Sequence, residues 1–335
     1  MFGRSNYFGS LDVWLRFLVP ILIAAAYVGG SRMLSQSYVS AEADLTIDAP
    51  FVYRLLIPFA LGLVFSPEIL DSFTLRFFVA AISAFAILEL LPVYLKRVMP
   101  GWLADGDQGV VKFCGVAVLV AHYVLPHRFH FYYIYDLPAI AFYLVLFLCL
   151  VGEFRVRWVG VILLTAVFSL NRETVVVAVL HAFVINWWGC GSGWRQKLNL
   201  VGQGAVLMLV VVFVRLAIMG LIEAPRGEVA EYMDGQEIRL IANFHRVVGQ
   251  FQHTVAVLYF GCGLLIWLPL VWSNFPGSLK RLFLWSLLPL TLLFIVGNPT
   301  ELRIFNEFVP LLSAGLTVFV ISRVPKNWLK YIGWR

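Results

Sequence analysis

Residues 72–95 read SFTLRFFVAAISAFAILELLPVYL, and Lys96 and Arg97 follow directly. Apolar side chains fill almost the whole stretch, and about 20 such residues are enough for a helix to cross the hydrocarbon core of a bilayer. Lys and Arg next to a span usually lie on the cytoplasmic side. The stretch therefore predicts a transmembrane helix that ends at the cytoplasmic surface.

The composition of the whole chain is also that of a membrane protein. Its 335 residues are 61% hydrophobic and 13% charged, whereas soluble domains are about 45–50% apolar and about 25% charged. A soluble protein of this composition would expose large apolar patches. We therefore exclude a cytosolic enzyme, a secreted protein and a nucleic-acid-binding protein, and we interpret the net charge of +6 as a topology signal. The four cysteines have neither metal-ligand nor disulfide spacing.

Similar apolar runs along the chain predict about ten spans. They cover roughly 11–30, 72–95, 109–125, 137–152, 157–170, 173–188, 197–221, 251–273, 282–297 and 305–322. Residues 157–188 are divided into a hairpin of two spans, because a single helix of about 48 Å would be too long for one crossing. An eleventh run, 51–66, is short and contains Arg54 and Pro58, so it either crosses or lies in the interface.

Basic clusters decide between these two possibilities. Five clusters lie between or after the spans, at Lys96/Arg97, Arg155/Arg157, Arg195/Lys197, Lys280/Arg281 and in the tail 323–335. All five share one side only if 51–66 does not cross. We therefore predict an all-α polytopic bundle, a single integral-membrane domain over 1–335, with both termini cytoplasmic. Interfacial helices are predicted in the first outer loop, 31–71, and in the amphipathic fourth outer loop, 222–250.

With this topology, unusual polar residues gather on the outer face. Charges at membrane depth are costly and are functional candidates by default. Asp48 or Asp44 in the first loop could act as a general base towards a hydroxyl. Guanidinium groups suit phosphate, and the candidates for that role are Arg54, Arg172, Arg303 and the pair His127/Arg128. Further candidates for contacting or orienting the substrate are Tyr53, Tyr132, Asp136, Asn171, Glu173 and Glu301. This set is typical of group transfer from a phosphate-linked lipid donor.

The stretch Ile47-Asp48-Ala49-Pro50-Phe51-Val52-Tyr53-Arg54 and the later Asn171-Arg172-Glu173 resemble short motifs of the GT-C superfamily of integral-membrane glycosyltransferases, in particular small bacterial mannosyltransferase-like members. The resemblance implies transfer of a sugar from a polyprenyl-phosphate donor to a hydroxyl of a glycan, lipid or protein acceptor. It also implies a bacterial inner membrane with the active face outside. Asp48 would be the base, with Asp44 the second choice.

The same resemblance implies roles for the other candidates. Arg54, Arg172 and Arg303 would stabilise the phosphate leaving group, and Glu173 would orient Arg172. His127 and Arg128 would contact the donor head group, and attack opposite the departing phosphate would invert the anomeric centre. No cofactor is implied, and His127, His130 and Asp136 lack a standard spacing for a divalent metal.

Plainer interpretations stay open for several of these residues. Asp48 suits the cap of a helix over 51–66, and Arg54 suits a snorkelling side chain. Arg172 and Glu173 suit an ion pair within a hairpin tip, and Arg303 and Glu307 suit a pair four residues apart on one helix.

Other functions also stay open. A transporter or flippase of lipid-linked saccharides would use similar intramembrane charges, and a polysaccharide polymerase or ligase, or its non-catalytic assembly partner, would share the architecture. Glu89 and Arg215 lie inside apolar runs, and each needs a partner or a water-filled cavity.

Overall fold

The computed structural model describes residues 14–30, 38–44, 54–124, 133–189, 193–222, 244–245, 249, 270–296 and 302–325. All regular secondary structure in these ranges is helical. The helices are α1 (Val19–Gly30), α2 (Tyr38–Ala43), α3 (Leu56–Gly62), α4 (Pro67–Leu70), α5 (Phe73–Val98), α6 (Gln108–Leu119), α7 (Asp136–Leu150), α8 (Trp158–Asn171), α9 (Val176–Gly189), α10 (Trp194–Leu221), α11 (Gly277–Val296) and α12 (Val309–Arg323). Short π or 3₁₀ turns lead into or out of several of them, at Trp14–Leu18, Asp105–Asp107, Val120–Val124, Glu173–Val175, Trp272–Asn274 and Leu302–Phe308.

The long helices are those of a helical membrane protein. Three stretches, Phe73–Val98, Trp194–Leu221 and Phe305–Arg323, are long and apolar enough to cross a bilayer, and five shorter apolar helices accompany them. Each predicted span coincides with a described helix except 251–273, which lies mostly outside the described residues. The number of crossings and the GT-C architecture stay predictions.

The run 51–66 contains only a short helix in its described part. Helix α3 has seven residues, which is about 10 Å of helix, and the chain then turns before α4 begins at Pro67. This length is too short for a spanning helix and is compatible with the predicted interfacial position.

Helix α5 is central and packs on both α1 and α7. Its buried stripe includes Ala84, Ile87, Leu88 and Leu91, which recur at helical spacing. Side chains on its other face, such as Ile82, are large, apolar and exposed, as expected of a helix that faces lipid on one side.

Helix α10 lies at the periphery of the bundle. Only Leu207, Val211 and Ile218 of its 28 residues are buried, and they form a narrow contact stripe towards α8 and α9. The rest of its apolar surface is exposed, which would be unfavourable in water and is natural in lipid.

The predicted division of 157–188 into two helices is confirmed, and their crossing of the bilayer stays a prediction. The helix is interrupted at Arg172, whose backbone is extended (φ −156°, ψ 138°). Trp158 and Val161 at the start of α8 line one cavity together with Ala182 and Asn186 near the end of α9. The two arms therefore run antiparallel.

Contacts between helix ends divide the bundle into two faces. At one face Arg97 donates to the carbonyl of Val151, and Ser278 donates to the carbonyl of Val98. At the opposite face the N-terminus of α7 lies beside the end of α8. Predicted cytoplasmic segments meet at the first face and predicted outer segments at the second, although the orientation in a membrane stays a prediction.

Candidate functional site

A buried ionic network lies at the predicted outer end of the bundle. Arg172 places its Nη1 atom 3.4 Å from Oδ1 of Asp136 and its Nε atom 3.8 Å from Oε1 of Glu307. The Arg172 side chain is 3% exposed and the two carboxylates are each 1% exposed. We call these three residues the buried triad.

Local helix geometry explains why these three charges lie where they do. Asp136 is the first residue of α7, and Glu307 lies in the 3₁₀ turn that leads into α12. Arg172 follows the last residue of α8. Helix N-termini favour negative charge and C-termini favour positive charge, so each side chain lies at the helix end that stabilises it.

Neutral polar groups from other helices complete the network. The Asn306 amide donates to the Asp136 carbonyl and carboxylate at 3.3 Å, and its oxygen lies 2.9 Å from Nε2 of His122. The Tyr27 hydroxyl lies 3.3 Å from Oδ2 of Asp136. The Thr174 hydroxyl donates to Glu307. The network thus connects α1, the turn after α6, the start of α7, the α8–α9 break and the turn before α12.

Described parts of the first outer loop cover this network. Nη1 of Arg54 donates to the Tyr135 hydroxyl at 2.7 Å, and its guanidinium carbon lies 5.0 Å from the centre of the same ring. The Tyr135 carbonyl accepts from the Asn171 amide at 3.2 Å. Apolar residues of α2, α3 and α4 pack around residues 133–135. Asp44, at the end of α2, is exposed.

An apolar groove begins beside the buried triad. It has a volume of about 400 Å³ and lies between the start of α9, the second half of α10 and α11. Val211, Val212 and Leu216 contribute to its walls, and Glu173, Thr174 and Arg215 form its polar end. Thr174 also donates to Glu307, so this polar end is continuous with the buried triad.

Arg215 pairs with Glu173 at the polar end of the groove. Glu173 directly follows Arg172 in the chain, and Arg54 contacts Tyr135, the residue before Asp136 of the buried triad. Three arginines, each from a different part of the chain, therefore lie on or beside the buried triad and the polar end of the groove. Three carboxylates, Asp136, Glu173 and Glu307, lie among these arginines, so an anionic head group would bind here by sharing or replacing a carboxylate partner.

The structure corrects the predicted role of Glu173. That carboxylate pairs with Arg215, whereas Asp136 and Glu307 hold Arg172, because the backbone break at Arg172 sends the two side chains apart. An internal Arg172–Glu173 pair is therefore also wrong. Arg172 is enclosed by protein, so its side chain does not lie at the surface of the bundle.

The other predicted residues divide into three groups. Arg54, Asp136, Asn171 and Arg172 lie together at one end of the bundle, as the topology predicts. The backbone of Arg303 lies in the turn Leu302–Phe308 next to Glu307 and Asn306. The candidates outside the described residues are Asp48, Tyr53, His127, Arg128, Tyr132 and Glu301, together with nearly all of the amphipathic loop 222–250.

Sequence reasoning missed several members of the site. The sequence indicates only that Arg215 is a charge in need of a partner and that Glu307 can pair with Arg303. His122 and Asn306 carried no signal beyond being polar residues at the ends of apolar runs. Within the described ranges, no group of three or more His, Cys, Asp or Glu side chains is arranged to hold a metal ion.

Comparison of the chain with models of protein families, with curated proteins and with solved structures finds no match. The resemblance to GT-C enzymes therefore rests on the short motifs alone, and the site must be interpreted from its own geometry.

Proposed function

We propose that the chain is a membrane glycosyltransferase that moves a sugar from a polyprenyl-phosphate donor to an acceptor hydroxyl at the outer face of a bacterial inner membrane. The observation that carries the proposal is the apolar groove whose polar end contains Arg215 and its partner Glu173, which directly follows Arg172 of the buried triad. An isoprenoid chain would occupy the groove, which would bring its phosphate to the arginines.

In this proposal the arginines act in two ways. Arg54 and Arg215 are partly accessible and would contact the phosphate, whose negative charge grows as the glycosidic bond breaks. Arg172 is a positioning residue that holds Asp136 and Glu307.

The reaction needs one proton acceptor. The acceptor oxygen attacks the anomeric carbon while its proton passes to a first-loop carboxylate. The bond between the anomeric carbon and the phosphate oxygen breaks, and the phosphate leaves with the electron pair. Asp48 is the proposed base and Asp44 the second choice; the packing of α2 and α3 against residues 133–135 supports a base from this loop.

The first test measures transfer in membranes that contain the full-length protein, with radiolabelled polyprenyl-phosphate mannose and polyprenyl-phosphate glucose as donors. Loss of a general base typically costs about 10²–10⁴-fold in rate. We therefore expect Asp48→Asn to lower the transfer rate by that factor while Asp44→Asn retains most activity. Full activity in both variants would refute a base in the first loop.

The second test concerns the groove. Val212 lines it, and its neighbour Phe213 on the same helix does not. Val212→Trp would fill the groove and should raise the KM for the lipid donor, whereas Phe213→Trp should leave KM near the wild-type value. An equal effect of the two substitutions would contradict binding of the donor in this groove.

A further inference from the structure

The end of α9 and the starts of α10 and α11 meet in a cluster of tryptophans and cations. The cluster lies at the face of the predicted cytoplasmic segments, where Ser278 in the first turn of α11 contacts the end of α5. Nζ of Lys197, in the first turn of α10, lies 5.1 Å from the centre of the Trp187 ring. The guanidinium carbon of Arg281, near the start of α11, lies 5.2 Å from the centre of the Trp188 ring.

The two cations are held in place by aromatic rings. Trp187 and Trp188 are consecutive, so their side chains point about 100° apart on α9, and α10 and α11 flank the end of α9 on two sides. A cation–π contact positions a cation without neutralising its charge. Within the part of the chain that the structure describes, neither Lys197 nor Arg281 lies within ion-pair distance of a carboxylate. Both side chains are only half-buried, so both charges can act on a negatively charged ligand.

The length of α10 places Lys197 at the level of a lipid head group. Lys197 and Arg215 are 18 residues apart, which is about five turns, so they lie on one face of the helix about 27 Å apart. This distance is close to the thickness of the hydrocarbon core, about 30 Å. Val201, Met208 and Val212 continue the same face between them, and all three are exposed. Since Arg215 lies at the polar end of the apolar groove, Lys197 marks the other end of the same lipid-facing surface.

A second exposed stripe runs along α11 from Arg281. Trp285, Leu288 and Leu292 follow at helical spacing, and each is at least 40% exposed. From Arg281 to Leu292 the stripe is about 16 Å long, which is about half the thickness of the hydrocarbon core. Leu292 and Met208 both line the apolar groove, so the stripes of α10 and α11 converge there. An acyl chain of one leaflet therefore fits this surface when its head group lies beside Arg281.

We infer that this surface binds an anionic phospholipid from the leaflet at this face, the predicted cytoplasmic one. Lys197 and Arg281 hold its phosphate through charge-assisted hydrogen bonds, and its acyl chains lie on the exposed stripes of α10 and α11. Charge complementarity selects this lipid, because a zwitterionic head group would bring its own cation close to the two side chains. Basic pockets between transmembrane helices on the cytoplasmic side suit such head groups. The inference does not rest on the glycosyltransferase proposal, because neither cation belongs to the outer site.

Native mass spectrometry of the full-length protein in detergent tests the inference. The protein is titrated with phosphatidylglycerol in one series and with phosphatidylcholine of the same acyl chains in the other, and the dissociation constant of the first bound lipid is determined in each. We expect phosphatidylglycerol to bind about tenfold more tightly, the effect of one charged hydrogen bond. Equal affinities for the two lipids would overturn the inference.

Substitutions locate the site. Lys197→Gln and Arg281→Gln should each weaken the binding of phosphatidylglycerol about tenfold. The matched control is Arg195→Gln, because Arg195 is exposed and lies two residues before Lys197, on the opposite face of α10. This control should have a much smaller effect. Unchanged affinity in both Lys197→Gln and Arg281→Gln would overturn the inference, and so would an equal loss in Arg195→Gln, which would indicate general attraction to a basic surface.

Discussion

Removal of the positive member of the buried triad should be among the most damaging single substitutions in this protein. Arg172→Met keeps a long apolar side chain and leaves Asp136 and Glu307, each 1% exposed, without their shared cation. Removing one partner of a buried ion pair typically costs about 3–5 kcal/mol, because the remaining charge has neither water nor a counter-ion. Here two carboxylates are left, so we expect a loss in the upper part of that range.

The loss can be measured by thermal unfolding of purified protein in detergent, followed by tryptophan fluorescence. A destabilisation of this size should lower Tm on the order of 10 °C. Asp136→Asn and Glu307→Gln in the Arg172→Met background should recover much of the loss, because no buried charge then remains and the neutral contacts to Tyr27, Asn306 and Thr174 can persist.

The matched control is Arg97→Met. Arg97 also pairs with a carboxylate, that of Glu153 at 3.5 Å, but the two side chains are 44% and 36% exposed. Exposed pairs contribute about 0–1 kcal/mol, and the hydrogen bond from Arg97 to the Val151 carbonyl adds about 1 kcal/mol, so this variant should lose less stability than Arg172→Met. Equal losses for Arg172→Met and Arg97→Met would refute the reasoning, and so would failure of the neutral triple variant to recover stability.

Two other packing features give predictions that the same unfolding measurement can check. His181 is buried between the Tyr143 hydroxyl at 2.7 Å and Ser286 Oγ at 2.8 Å. His181→Leu should cost about 1–3 kcal/mol, because the Tyr143 hydroxyl keeps only its 3.4 Å contact with Tyr94, whereas Ser286 still donates to the Leu282 carbonyl. Adding Tyr143→Phe should restore part of this loss, and an unchanged Tm for His181→Leu would count against the hydrogen bonds. A Cβ on Gly115 would lie 2.5 Å from Cδ2 of Leu91, so Gly115→Val should cost about 1–3 kcal/mol through overpacking. Gly202, where a Cβ would meet nothing within 4 Å, provides the control: Gly202→Val should be tolerated, and similar losses at both positions would contradict close packing of α5 on α6.

The positions of most described helices along the chain were predictable, because local composition controls where a helix forms. A run of apolar residues near 20 in length forms a helix in lipid, where every backbone polar group must be satisfied within the segment. The break at Arg172 was predictable for the same reason, since charged residues inside an apolar stretch of excessive length indicate where the chain leaves the hydrocarbon core. The positions of the basic clusters predicted that 51–66 does not cross, and the seven residues of α3 are too few for a crossing.

The partners of each charge were not predictable in this way. Glu173 follows Arg172 directly in the chain, and yet Arg172 pairs with Asp136, 36 residues away. Thr174 reaches Glu307 across 133 residues, and Asn306 reaches Asp136 across 170. Such pairs depend on which helix ends meet, and hydropathy contains no information about helix neighbours.

By itself, therefore, the sequence predicted a helical membrane protein, the approximate course of most described helices and the gathering of Arg54, Asp136, Asn171 and Arg172 at one end of the bundle, because the cost of placing polar groups in lipid acts on every segment separately. Only the tertiary structure decided that Arg172 is enclosed between Asp136 and Glu307 and that Arg215 meets Glu173 at the end of an apolar groove. Buried charges are tolerated when they are paired, and pairing in three dimensions depends on the directions in which whole helices pack.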